Sequence, residues 1–219
     1  MVITWFGLSC CKISSGNLTV VTDPFSKSVG LTPPRMQTDI AVVSNIKNPA
    51  YNNLTSLGGD KIFVADGPGE LDVRGLFIHG VAATGDPKHN DNGFDFTTIY
   101  AVRMEDIRLG FLGSLKQKEL TDSQLEELGE IDILLIPVGG KTVCDAEEAV
   151  TIVNQIEPHL VIPLHYAQKG LLLPQDKVEH FLKEIGSAKE TAQEKLTLKK
   201  SNLQELGETT QVVVLSPQR

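Results

Sequence analysis

The hydrophobic positions of this chain change their period part-way along. In the first half they come as short β-branched or aromatic runs: "VITWF" from Val2, "CCKI" from Cys10 and "LTVVTD" from Leu18. Runs of four to eight such residues between turn formers predict strands. "SSGN" separates the second run from the third, and Gly16 and Asn17 tolerate the positive φ of a tight hairpin turn. "DPFSKSVGLTPPRMQT" reads as a loop, broken by Pro24, Gly30, Pro33 and Pro34. "DIAVVS" is almost continuously apolar, as a strand covered on both faces would be. "KIFVA", "GELDV", "LFIHGVAA", "TTIYAVR" and "DIRLGFL" follow as further strands, and residues 84–96 form a turn-rich loop.

In the second half the apolar spacing shifts to three and four. Thr121 and Gln124 have capping-box spacing ahead of "LEEL", and Asp145 and Glu148 repeat it ahead of "AEEAVTIVNQI". Ala146, Ala149, Val150, Val153 and Ile156 then share one helical face. A third helix is predicted over "PQDKVEHFLKEIG", with Pro174 near its first turn, Gly186 at its end, and Val178, Phe181, Leu182 and Ile185 inward. "ILLIPV" and "HLVIPL" lie between these helices as buried strands, and "TTQVVVLS" closes the chain as another. Strands first, then strands alternating with helices, predict a layered α/β protein with helices covering sheet faces.

Composition narrows the function. A net charge of −8 argues against a nucleic-acid partner, which would require a surplus of Lys and Arg on one face. Lys195, Lys199 and Lys200 cluster, but such a run is expected to be a solvated face. No apolar run approaches a membrane span, and the N-terminus lacks the basic segment and cleavage site of a secretory signal. A cytoplasmic location is therefore expected, and three cysteines agree, being no disulfide framework. Cys10 and Cys11 should face opposite sides of a strand, one of them as a buried core thiol. No phosphate loop or dinucleotide fingerprint occurs, Gly139-Gly140 included.

Five strings in one order carry a resemblance. "ITWFGLSCCKI" resembles the "ITWxGHSCFxI" opening of small metallo-β-lactamase-fold proteins, in the branch that includes ascorbate-lactonase-like hydrolases. "TDPF", "DGPGELDVRGLFIHG", "LGEIDILLIPVGG" and "VIPLHY" are similar to later signatures of that branch, so the likeness runs from Val2 to about Lys169. It implies a single domain over 1–219 and a four-layer αββα sandwich, with two mixed sheets face to face and helices outside. It also implies a site at the strand ends, where His and Asp residues hold Zn or Mn and a metal-bound hydroxide attacks the substrate.

Position by position, that ligand set is missing. The first two histidines of the expected His-x-His-x-Asp-His loop fall on Asn45 and Lys47, and the Asp-His pair falls within Pro49 to Tyr51. The middle His falls on Gly85, followed by Asp86; the bridging Asp falls on Ser114; the final His is kept as His165. Leu8 replaces the His of the opening string. One imidazole cannot hold a catalytic ion, which takes about three protein ligands plus water, and Lys47 would repel a cation.

The expectation is therefore a non-catalytic binding or assembly module without a metal cofactor. The alternative is a metal-dependent hydrolase of lactones, esters or phosphodiesters, with a site rebuilt around His165 from Asp86 or His89. His79, His159 and His180 read as structural or solvent-facing, Asp23 as a loop anchor and Glu70 as structural. Cys144, ahead of a helix, is a candidate lowered-pKa thiol that could pair with His165. Tyr51 and Phe111 are candidates to fill the old cleft. Expected partners are a second copy, a metal-bearing paralogue or a small molecule; no nucleic acid and no membrane.

Overall fold

A computed structural model describes residues 1–85, 96–207 and 209–218. Its strands are β1 (Val2–Gly7), β2 (Cys10–Ser15), β3 (Leu18–Thr22), β4 (Met36–Gln37), β5 (Ile40–Val42), β6 (Leu57–Gly58), β7 (Phe63–Ala65), β8 (Gly69–Val73), β9 (Leu76–Thr84), β10 (Phe96–Met104) and β11 (Ile107–Phe111). Helices then alternate with strands: α1 (Asp122–Leu128), β12 (Ile133–Pro137), α2 (Ala146–Ile156), β13 (Leu160–Leu164), α3 (Val178–Glu184), β14 (Leu196–Thr197), α4 (Lys200–Gln204) and β15 (Gln211–Val212).

Two mixed sheets result. One has the order β14-β1-β2-β3-β5-β7 and the other β15-β13-β12-β11-β10-β9-β8, while β4 and β6 pair separately. Ile3, Trp5, Ile13 and Val20 of the first sheet share one core with Ile78, Ile99, Leu109 and Leu135 of the second. Every residue of β12 and β13 is buried, because the second sheet is covered on both faces. Helix α2 packs on β12 and on α3, and α1 packs on β9. This is the α/β architecture that the strand and helix patterns predict.

The predicted caps are present. Thr121 Oγ1 accepts from Gln124 N, Asp145 accepts from Glu148 N, and both reciprocal side-chain bonds form. The turn between β2 and β3 uses Gly16 alone at positive φ; Asn17 is not left-handed. Pro174 lies outside α3, whose N-cap is Lys177, since Gln175 and Asp176 are drawn to the loop at Gly139. Only Gln211–Val212 of "TTQVVVLS" pairs along the sheet edge, although Leu215 makes an isolated bridge with Gln193. Ile152 joins the buried face of α2, which the three–four spacing had assigned without it.

Cys10 and Cys11 do point to opposite faces, yet both are fully buried. Cys11 belongs to the core between the sheets. Cys10 belongs to a second apolar cluster with Leu8, Val21, Phe25, Val29, Ala50 and Tyr51, beside the strand ends where the site lies.

Candidate functional site

The C-terminal ends of β3, β5, β11 and β13 converge with the segment before β2 on one pole of the molecule. Three non-glycine residues there adopt left-handed backbone: Leu8 (φ 47°), Asp23 (φ 34°) and His165 (φ 55°). This conformation costs an L-residue about 1–2 kcal/mol, so it persists where its surroundings enforce it. The enforcement is visible. His165 N donates to Leu8 O at 2.9 Å, and Trp5 Nε1 donates to the same carbonyl at 2.8 Å. Asp23 N donates to Val42 O at 3.0 Å.

His165 is completely buried, and its Nε2 lies 3.0 Å from the hydroxyl of Tyr51. Burial pushes its pKa down to about 4, so the ring is neutral at pH 7. The Tyr51 hydroxyl and Nε2 share one hydrogen bond, whose donor is set by the ring tautomer. Nδ1 and Gln175 Oε1 are both enclosed without a hydrogen bond of good geometry. Gln175 Nε2 meanwhile donates to Thr142 Oγ1 at 3.0 Å.

A chain of hydroxyls runs beside this pair. Asp23, fully buried, accepts from Ser44 N and from Ser44 Oγ, each at 2.7 Å. Ser44 Oγ lies 3.1 Å from Ser114 Oγ, which lies 2.8 Å from Thr97 Oγ1. Thr97 in turn donates to Ser44 O at 3.2 Å. Burial pushes the Asp23 carboxyl up to about 8, against the lowering effect of its two bonds from Ser44. Gly113 (φ 49°) is required by this contact, because a Cβ there would lie 2.3 Å from Ser44 Cβ.

A cavity of about 40 Å³ is lined by Asn45, Asn48, Ala50, Tyr51, Ser114, Thr142 and Leu173. It has room for a few waters but is far below the several hundred Å³ of a typical metabolite pocket.

A family described as "Beta-lactamase superfamily domain" matches residues 2–165. A crystal structure from Thermotoga maritima, described as a candidate Zn-dependent hydrolase of the metallo-β-lactamase superfamily, is 30% identical, with coverage of 98% of this chain and 97% of that one and a TM-score of 0.77. The chain belongs to the metallo-β-lactamase superfamily.

Two curated relatives are also similar to this chain. A UPF0173 metal-dependent hydrolase of Natranaerobius thermophilus is 26% identical over 212 residues, spanning 84% of this chain and 91% of that protein. A UPF0173 protein of Pyrococcus abyssi is 24% identical over 186 residues, spanning 78% and 85%. Relatives of this superfamily member are thus named as metal-dependent hydrolases.

The structure gathers some of the candidate residues and separates others. Asn45 and Ser114 share the small cavity, and His165 meets it through Tyr51. Lys47 is exposed outside the cavity lining, its backbone N donating to Asn45 Oδ1 at 3.1 Å. Gly85 lies beside Phe96 and Thr97, where a Cβ would make ordinary contacts at 3.5 Å. Asp86 and His89 fall outside the described residues. Among the described residues, no three of His, Cys, Asp and Glu come together as a metal site.

Two expectations are corrected. Burial raises the Cys144 thiol to about 12, and its Sγ turns to the carbonyls of Leu115 and Gln117 at 3.3 Å, so it is no lowered-pKa nucleophile. Phe111 does not fill the cleft; it stacks with Tyr100 in the main core, 6.5 Å between centroids. Asp23 anchors the loop as expected, and Glu70 is an exposed residue of β8 paired with His79 across the strands. The Tyr51–His165 pair and the Ser44–Ser114–Thr97 hydroxyls were not foreseen. A Tyr in a polar loop carries no signal of its partner across 114 residues of chain.

A superfamily metal is a poor match for the described part of this pole. His165 offers one imidazole nitrogen, already bonded to Tyr51, and the neighbouring positions offer an amide and hydroxyls in place of imidazoles and a carboxylate.

Proposed function

We propose that this superfamily member works as a non-catalytic binding module and holds no catalytic metal at the His165 pole. The observation that carries this reading is the closed contact between Tyr51 and His165. The retained histidine is fully buried, and its ring nitrogen toward the cavity already has a hydroxyl partner. Ser114, at the position where the resemblance implies a bridging carboxylate, is engaged by two further hydroxyls. These bonds occupy His165 Nε2 and the Ser114 hydroxyl and leave little ligand capacity for an ion at those atoms.

A second reading has its own support, and the comparisons favour it over the first. Relatives named metal-dependent hydrolases, together with the Thermotoga maritima likeness, support a metal-dependent hydrolase; in this reading its substrates are lactones, esters or phosphodiesters and a rebuilt site binds Zn or Mn. It would draw ligands from Asp86 or His89, outside the described residues, and would require Tyr51 to release His165.

The two readings separate in one experiment. Purified full-length protein is assayed against a panel of lactones, esters and phosphodiesters, with and without added Zn²⁺ or Mn²⁺, alongside a His165→Ala variant of verified fold. The module reading expects turnover no higher than in the variant. Metal-stimulated turnover that disappears in His165→Ala would establish the hydrolase instead.

A further inference from the structure

A second cleft lies apart from the His165 pole. It opens to solvent beside the second apolar cluster and has a volume of about 1000 Å³, which suits a metabolite-sized ligand. Its walls come from five separate stretches: Phe6, residues 26–35, residues 53–56, Gln168 with Lys169, and Pro217 with Gln218.

These walls are tied together by backbone bonds. Ser26 N donates to Pro49 O at 3.1 Å, Asn53 N to Pro24 O at 2.6 Å, Leu172 N to Val29 O at 2.8 Å and Gln218 N to Trp5 O at 2.8 Å. Gly30 (φ 92°) allows the close approach to Gly170, since a Cβ there would lie 2.3 Å from Gly170 O. The cleft is therefore preformed, which lowers the ordering cost of binding.

Its charge opposes that of the molecule. The chain carries −8 overall, yet Lys27, Arg35 and Lys169 stand in the lining and no Asp or Glu does, among the described residues. None of the three cations forms an ion pair with another described residue. Hydroxyls of Ser26, Thr55 and Ser56 line the same space, with Phe6 and Leu31 as apolar wall. Gln168 Nε2, a donor in the wall, is enclosed without a hydrogen-bond partner. Three cations without an ion pair, an amide donor and an apolar surface complement an oxyanion carried on an apolar body.

We infer that this cleft binds a small organic anion, a phosphate or carboxylate group attached to an apolar moiety. The inference goes beyond the reading of the His165 pole and holds whichever function that pole has. Lys27, Arg35 and Lys169 attract and orient the oxyanion, and the wall at Phe6 and Leu31 receives the body. The negative charge elsewhere on the molecule repels extended polyanions and so favours a small ligand.

Calorimetric titration of full-length protein with phenyl phosphate, inorganic phosphate and benzoate tests this. Saturable one-to-one binding of phenyl phosphate is expected, tighter than inorganic phosphate because of the apolar wall, with benzoate showing whether the carboxylate serves as well. Each of Lys27→Gln, Arg35→Gln and Lys169→Gln should weaken phenyl phosphate by about 5-fold, and the triple variant by about 50-fold or more. The exposed Lys118→Gln variant, remote from the lining, should leave it unchanged. All three cleft cations are exposed, so melting curves of the variants should match the parent. Absence of saturation for all three probes, retention of binding in the triple variant, or equal weakening by Lys118→Gln would overturn the assignment. So would binding confined to a nucleic-acid oligomer.

Discussion

Two regions of this molecule answer to different physics. In the region of β12, α2 and β13 both strands are wholly buried and apolar, and α2 turns Ala149, Ile152 and Val153 inward. The pole around His165 is equally buried but polar, with Asp23, Ser44, Thr97, Ser114 and His165 all enclosed. In the first region stability comes from removing apolar surface from water. In the second, burial is a cost that each hydrogen bond only offsets, and left-handed Leu8, Asp23 and His165 add strain. The difference shows that two regions of equal burial can be held by opposite means, one by apolar packing and one by bonds between buried side chains.

The contrast breaks most visibly in the core. Ile136→Ala, in the fully buried β12, should lower unfolding free energy by about 2–5 kcal/mol in a denaturant titration. A loss under about 1 kcal/mol would mean that this region is not the close-packed half of the comparison.

At the polar pole, Tyr51→Phe strands a buried imidazole nitrogen without its partner. A loss of about 1–3 kcal/mol is expected in the same titration. A neutral effect would show that the hydroxyl contributes nothing to holding His165.

The pole should also respond to pH in two opposed ways. Burial raises Asp23 to about 8, so its stabilising contribution is complete below the ordinary carboxylate pKa near about 4 and is lost as pH rises through about 8. His165 is lowered to about 4, so its contribution is complete above about 6.5 and is lost as pH falls through about 4. Asp23→Asn should remove the first slope and His165→Gln the second when unfolding is followed from pH 4 to 8. Identical profiles for both variants and the parent would contradict the burial assigned to these groups.

The smallest effect belongs to the helix caps. Thr121→Ala removes the side-chain acceptor for Gln124 N and should cost about 1 kcal/mol. Its pH profile should match that of the parent, unlike those of the two pole variants.

The same contrast governs how much could be read from the chain. Caps and buried strands announce themselves locally: Thr121 and Asp145 each precede their box partner by three residues, and "ILLIPV" is apolar without interruption. Contacts at the pole are long-range and have no period. Ser44 and Ser114 are 70 residues apart, and nothing around either residue points to the other. That Cys10 is buried as well as Cys11 is illegible for a related reason, because strand alternation says nothing of a second apolar cluster assembled from loops. Lys27, Arg35 and Lys169 share one cleft only after Gly30 and Gly170 approach each other, which no spacing along the chain reveals.

The central claim, that the pole of Tyr51 and His165 does not hold a catalytic ion, is tested most directly by elemental analysis. Full-length protein is purified without chelator, incubated with Zn²⁺ or Mn²⁺, and desalted. The account predicts less than about 0.1 ion per chain for both metals, equal in the parent and in His165→Ala. About one ion or more per chain, retained through desalting and lost in His165→Ala, would contradict it.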